Sequence, residues 1–436
     1  MATKTDRQRS SPQYSTTHFW IGLLTALLLL AILLESVCLG ILYVNDSLKG
    51  NNTSRFAEKH LLTELFVSTQ PNPVPGKHFL GRLTWGDAGW GTPYVADSLL
   101  GYRMRSAISF FYVAPSDEYL YITDDNGFSV DVDDPPITVQ KPADAYRIIV
   151  LGGSTVMGAG APRPSQNIVG MLRKGVRARG LTGPNGKHIE FINAGVDGYT
   201  SAQEYLYLVS DLLRFKPDLV VVYDGWNDLV YDSSLSPFRT THVYIRSRIP
   251  ESFSIAGSVF LVAQNIRGFL TSISLRLGMV ELPRRVFDRF RPRADIIHSS
   301  YTPYDPRNIE FYAINRRAFL ALADNQLSVA LFLQPLVGVD DRMLSAQEKA
   351  SWWYRTHDKV LVNRDRGAFY ERARQILAHL KARDQGNGHH CIADLSHSLK
   401  GVSEPVYADT GHLLPKGNEV VAAQILDQLV LCGLLD

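Results

Sequence analysis

Five apolar runs punctuate the chain from residue 146 onward, and each is closed by small or polar residues. Arg147–Leu151, His188–Ala194, Leu219–Tyr223, Ser328–Pro335 and Cys391–Leu395 carry the β-branched and aromatic content expected of buried strands. Between them the apolar positions recur at helical spacing. Helices are predicted over Ser165–Arg179, Ser201–Phe215 and about Asn308–Asp324. Another starts at Pro415, a residue suited to the first turn, with Val421, Ile425 and Leu429 on one face. Strands alternating with helices predict an α/β fold, a three-layer α/β/α sandwich around a mostly parallel five-stranded sheet of flavodoxin-like type.

Ahead of this domain the pattern changes twice. Residues 19–44, FWIGLLTALLLLAILLESVCLGILYV, form one apolar run. As a helix it extends about 39 Å at ~1.5 Å per residue, longer than the ~30 Å hydrocarbon core of a bilayer. Lys4, Arg7 and Arg9 precede it, which favours a cytoplasmic amino terminus and an extracytoplasmic remainder. The run is long for a cleaved signal peptide and no small-residue cleavage site follows. Glu35 within it reads as a tolerated anchor residue. The expected order is a cytoplasmic tail at 1–18, a transmembrane signal anchor at 19–44 and a polar stalk at 45–78. A β-rich extension follows at 79–142, then the main domain at 143–436, with insertions at about 231–306 and 336–388. In the extension, FFYV and YLYIT read as strands, DDNGF as a turn, and the aromatics as the core of a small β layer or the lining of a substrate path. Glycosylation sequons stand at Asn45, Asn51 and Asn52, meaningful only in a eukaryotic secretory pathway.

Composition narrows the class. The chain has 436 residues, 45% hydrophobic and 20% charged, as in a folded globular protein. A net charge of +2 provides no bulk field for nucleic acid. The basic run Arg284–Arg293 reads as a solvated face, and the second insertion carries Trp352, Trp353 and Tyr354. Of three cysteines, Cys38 lies in the apolar run; Cys391 and Cys432 can pair in an oxidising compartment or stay as buried thiols. The adjacent His389 and His390 would face opposite sides of a strand, a poor start for a metal site. No metal or cofactor is implied.

The candidate chemistry gathers at strand ends, where ligands collect in open α/β sheets. Ser154 follows the first strand in YRIIVLGGSTVMGAG and is the candidate nucleophile. His412 can serve as its base, and Asp409, three residues earlier, can fix the imidazole tautomer. Oxyanion donors are the backbone N–H groups of Ser154 and Gly198 and the side-chain amide of Asn227. Gly195 competes with Gly198 for the second role. The segment lacks the glycine two residues after serine that a nucleophile elbow requires, since Val156 stands there. It also lacks the closing Gly-Lys-Ser/Thr of a P-loop.

The four stretches Gly-Gly-Ser-Thr, Asn-Ala-Gly-Val-Asp-Gly-Tyr-Thr, Gly-Trp-Asn-Asp and Asp-Thr-Gly-His together resemble the blocks of the SGNH (GDSL) hydrolases. The resemblance covers Tyr146 to about Val230 and Ser328 to the carboxyl terminus. It implies an α/β/α sandwich, a Ser154–His412–Asp409 triad and an oxyanion hole of Ser154, Gly198 and Asn227. It departs at Gly153, where the family usually has an acidic residue. The implied activity is a carboxylic ester hydrolase working through an acyl-serine. The location expected for the domain, the periplasmic side of a bacterial inner membrane, makes the substrate an acetyl or other acyl ester of an envelope polysaccharide or glycolipid. An O-acyltransferase using the same acyl-serine and a non-catalytic polysaccharide-binding or assembly protein are the alternatives.

Overall fold

The computed structural model describes residues 74–83, 93–113, 118–230, 307–350, 364–384 and 388–436, less positions 75, 98 and 325, together with Leu23, Thr25, Ala26, Leu29, Leu30, Leu33 and Val37. Apart from those seven helical, exposed positions, the described residues belong to one compact unit of Gln70–Asn265 and Asp295–Asp436. The remainder of the predicted anchor, most of the stalk, the basic run and the Trp352–Tyr354 triplet lie outside the described residues. Among the described residues no helix is long and apolar enough to cross a membrane.

Ten strands lie among the described residues. Five build the small layers ahead of the main domain. Strands β1 (His78–Leu83), β4 (Ile108–Val113) and β5 (Glu118–Ile122) form a three-stranded sheet, and β2 (Tyr94–Asp97) pairs with β3 (Gly101–Met104) as a hairpin. The other five, β6 (Ala145–Leu151), β7 (His188–Asn193), β8 (Leu219–Asp224), β9 (Ser328–Leu333) and β10 (His390–Asp394), form one sheet in the order β10-β9-β8-β6-β7. All four of its pairings are parallel. Strands β6, β8 and β9 are buried at every position, as their unbroken apolar runs require at the centre of a parallel sheet.

Alternate side chains of these strands enter two separate cores. Ile149 and Leu151 of β6 point into one with Val220, Val222, Leu331 and Leu333. That core is covered by α3 (Ser201–Ser210), α5 (Arg307–Leu320) and α7 (Arg364–Arg383) through Leu208, Phe319 and Phe369. Ile148 and Val150 point the other way, onto Ile168, Leu172, Val421 and Ile425 of α2 (Ile168–Arg179) and α8 (Pro415–Leu431). Among the described residues there are also the short helices α1 (Ser154–Met157), α4 (Trp226–Val230) and α6 (Ala346–Ala350). The result is three layers, with the sheet between two sets of helices.

Several boundaries differ from the sequence reading. Helix α2 begins at Ile168, because Asn167 accepts from the Gly170 N–H as an N-cap. The stretch predicted as one helix to Phe215 breaks at Asp211 and resumes as a 3₁₀ turn over Leu212–Phe215. Helix α5 ends at Leu320 rather than near Asp324, whose side chain instead accepts from the Gln326 and Leu327 amides ahead of β9. Cys391 and Cys432 form a disulfide joining β10 to the end of α8.

Candidate active site

The sheet order places a topological switch between β6 and β8, since β6 connects to β7 on one side and β8 lies on the other. Ser154 follows β6 and Asn227 follows β8, so both stand at the carboxyl-end crevice there. Ser154 is not in an extended turn: it opens the one-turn helix α1, whose Val156 and Met157 amides donate to Gly153 O. Gly152 is needed for the approach, because a Cβ there would lie 2.5 Å from Tyr223 O and 2.3 Å from Val156 Cγ2.

Ser154 Oγ lies 2.6 Å from His412 Nε2, and His412 Nδ1 lies 2.6 Å from Asp409 Oδ2. With a proton on Nδ1 directed at Asp409, Nε2 is left to accept from the serine hydroxyl. Asp409 spends its other oxygen, Oδ1, on the backbone amides of Gly411 and His412 at 3.0 and 2.9 Å. One carboxylate therefore fixes both the shape of the loop and the orientation of the ring it carries. Ala408 N donates to His412 O, and Tyr407 bridges Leu413, which closes the loop before α8.

The electrostatics follow from this arrangement. Burial opposes ionisation of Asp409, but the charge of His412 and hydrogen bonds from its ring and from two backbone amides hold the carboxyl below its usual range. Burial likewise pushes the His412 imidazole down; Asp409, and after it Asp197, outweigh this and raise it above the usual histidine value.

Gly198 and Asn227 are the other two candidate donors, and Asn227 is tied to Tyr199, the residue after Gly198. Gly198 has φ +77°, a left-handed conformation that favours glycine. Among the described residues, neither its N–H nor that of Ser154 has an acceptor, so both remain available as donors. Asn227 Nδ2 donates to Tyr199 O at 2.8 Å and is 8% exposed. Gly195 has a different task. Its Cβ would meet Met157 N at 2.4 Å, so it is the close contact that lets the β7 loop pack under α1. Asn193 ties the same two loops, donating to Val156 O and accepting from Gly195 N.

No family model matches this chain. No curated protein matches it either. Among solved structures it is similar to a two-domain esterase active on acetylated mannans, crystallised with mannopentaose, at 14% identity and a TM-score of 0.35. That likeness covers 66% of this chain and 50% of the other, so the chain spans about half the esterase's length. It is also similar to Axe2, an acetylxylan esterase from Geobacillus stearothermophilus, at 10% identity over 65% of this chain and 94% of that one, with a TM-score of 0.34. A lipase/acylhydrolase from Enterococcus faecalis is similar at 16% identity over 66% and 97% of the two chains, with a TM-score of 0.32.

Several contributors were not visible in the sequence. Strands β2 and β3 supply tyrosines that brace the loop around Gly198. Tyr94 Oη donates to Asp197 Oδ2 at 2.5 Å, Tyr102 Oη donates to Asp197 O, and Tyr199 Oη donates back to Tyr102 O. The Tyr102 ring packs edge-on against both Tyr94 and Tyr199. Phe110, Tyr119, Tyr121 and Tyr102 are buried, as the β-layer core reading expects, and the hydroxyls of Tyr102 and Tyr94 also reach the loop before Gly198.

Beneath the Asn227 loop, Arg316 of α5 is fully buried beside Asp224, Asp228 and Glu204. It donates to Asp224 Oδ2 and lies over the Tyr312 ring. Asp228 accepts from the Ser201 amide and hydroxyl, joining the third block to the start of α3. Burial, with Arg316 opposing and Asp228 adding to it, pushes Asp224 up to about 7. On the far side, Glu348 of α6 holds the segment leading to Asp409. It accepts from the Val406 and Tyr407 amides and pairs with Arg342 at 3.0 Å. These partners lie scores of residues from the motifs and carry no local signal. His390 is occupied by Asp384 and Leu320 O.

Proposed function

We propose that the protein is a serine esterase that hydrolyses acyl esters through an acyl-enzyme on Ser154, the activity carried by the SGNH hydrolases that its motifs resemble. The observation that carries this is the unbroken hydrogen-bonded chain from Ser154 Oγ through His412 to Asp409 at the sheet's carboxyl edge. His412 Nε2 takes the Ser154 proton as Oγ attacks the ester carbonyl. The carbonyl oxygen, now negative, is received by the N–H groups of Ser154 and Gly198 and by Asn227 Nδ2. Collapse expels the alcohol, which leaves with the proton held by His412. Water, deprotonated by His412, then attacks the acyl-serine, releasing the acid and restoring Ser154.

In this reading residues 19–44 tether the domain to a membrane and the domain works outside the cytoplasm. The basic residues ahead of that run support the orientation, and the Cys391–Cys432 disulfide supports an oxidising compartment. The substrate is then an acyl ester of an envelope polysaccharide or glycolipid. The experiment is hydrolysis of p-nitrophenyl acetate and longer esters by the purified full chain beside Ser154→Ala. Activity confined to the wild type supports the esterase; equal rates in both proteins would remove Ser154 from the chemistry.

A further inference from the structure

Helix α5 is the first described helix after α4, and two of its polar residues are buried against the loops that carry the proposed oxyanion donors. Asn315 is 1% exposed and Arg316 is 0%. The acyl-transfer steps make no use of either. Polar side chains so deep in a core cost free energy unless they are hydrogen-bonded, so the partners they hold say what they are for.

Asn315 Nδ2 donates to Ser201 Oγ at 2.8 Å, and Ser201 Oγ donates to Asp228 Oδ1 at 2.5 Å. An amide nitrogen only donates and a carboxylate only accepts, so the hydroxyl between them is oriented one way. The Ser201 amide adds contacts of 3.2 and 3.3 Å to the two oxygens of the same carboxylate. Asp228 is the residue after Asn227, and Ser201 stands two residues after Tyr199, whose carbonyl accepts from Asn227 Nδ2 at 2.8 Å. The contacts close a ring: from Asn227 to Tyr199, along the chain to Ser201, across to Asp228 and back to Asn227. Arg316 holds the same loop at its other end. It donates to Asp224, the last residue of β8, and lies over the rings of Tyr312 and Phe319 at 4.7 and 5.3 Å.

We propose that Asn315 is a positioning residue for the Asn227 amide, acting through Ser201 and Asp228, with the Arg316–Asp224 pair seating α5 against the same loop. Asn315 keeps the Ser201 hydroxyl directed at Asp228. Asp228 in turn fixes the backbone from which the Asn227 side chain reaches Tyr199 O. One side chain from a third element thus sets the spacing between the loop after β7 and the loop after β8. This inference rests on the esterase reading for its kinetic consequence but not for its physical test.

The kinetic test is a double-mutant cycle on ester hydrolysis by the purified full chain, with Asn315→Leu, Asn227→Ala and the two together. Leucine has a similar shape and cannot donate. Asn315→Leu should lower kcat roughly tenfold with KM little changed, short of the ~10²–10³-fold cost of losing an oxyanion donor outright. In the Asn227→Ala background the same substitution should cost less than about twofold, because the group it positions is already gone. Equal losses in both backgrounds would mean a merely structural role and overturn the proposal, as would an unchanged kcat in the single variant. Should Asn315→Leu fail to fold, Ser201→Ala cuts the relay one link nearer Asp228 and enters the same cycle with the same expectations. The physical test follows the Asn227 side-chain amide by NMR in the full chain carrying nitrogen-15 asparagine, the resonances being identified by their loss in Asn227→Ala. They should move in the folded relay variant; resonances that stay in place overturn the proposal. If the wild type cleaves no ester, the esterase reading falls while the amide resonances still decide whether Asn315 positions Asn227.

Discussion

Gly153 offers a way to test the proposed oxyanion role of Asn227 without touching any group that reacts. A Cβ added there would lie 2.3 Å from Asn227 Nδ2. Carbon and nitrogen atoms settle roughly 3.5 Å apart, so in Gly153→Ala the amide must retreat by about 1 Å. Its 2.8 Å bond to Tyr199 O cannot survive that displacement. Gly153 has φ −82°, open to any L-residue, so left-handed strain plays no part. The atom in the way ends a side chain, which can swing aside. The stability cost is therefore that of one hydrogen bond, about 1 kcal/mol, or a few degrees in Tm for a domain of this size. The catalytic cost is that of a misplaced oxyanion donor, roughly 10²–10³ in kcat. Steady-state hydrolysis of p-nitrophenyl acetate alongside thermal denaturation separates the two. The expected result is a large fall in kcat, little change in KM and a nearly native Tm. A kcat within threefold of wild type would show that Asn227 is not the donor, and a change confined to KM would show that it binds ground state and transition state alike.

Three further outcomes follow from other parts of the molecule. Because His412 is raised and must be neutral to accept the serine proton, the acid limb of kcat/KM should lie above the ordinary histidine value of about 6.5; a limb below it would contradict the Asp409–His412 pairing. The same raised value stabilises the fold below the unfolded histidine pKa, and that contribution is lost as pH rises through the folded one. Glu348→Ala should cost about 3–5 kcal/mol in urea unfolding, since it strands the buried Arg342 and frees the segment before Asp409. A loss under 1 kcal/mol would mean that water reaches Arg342. The Cys391–Cys432 link, across a sequence separation of 41, should contribute about 4 kcal/mol by the loop-entropy relation. Under denaturing, non-reducing conditions one thiol of three should react with Ellman's reagent; three reactive thiols would contradict the bond.

Much of this architecture could be read from local pattern. Strands β6, β8 and β9 are unbroken apolar runs because both faces of a central parallel strand are buried, and such runs stand out in any window. Ser154, Asn227, Asp409 and His412 were legible because each sits at a strand end or shortly before a helix within a short motif, and the fold brings those ends to one edge. The features without a local signal are long-range. Arg316 looks like an ordinary helical arginine until the fold buries it against Asp224. Glu348 is one glutamate in a polar stretch until Val406 and Tyr407 present their amides to it. Tyr94 and Tyr102 were legible as β-layer aromatics, but nothing local indicates that their hydroxyls reach Asp197. The shifted helix ends have a local cause instead, since Asn167 caps α2 through the Gly170 amide and Asp324 binds the Gln326 and Leu327 amides beyond α5.

The most direct measurement is covalent. The purified full chain is treated with a fluorophosphonate, digested, and the adduct located by mass spectrometry, with His412→Ala in parallel. A single adduct on Ser154, formed rapidly in the wild type and far more slowly without the imidazole, is the result expected of a serine activated through the 2.6 Å contact with His412. An unlabelled Ser154, or labelling at the same rate in both proteins, would contradict it.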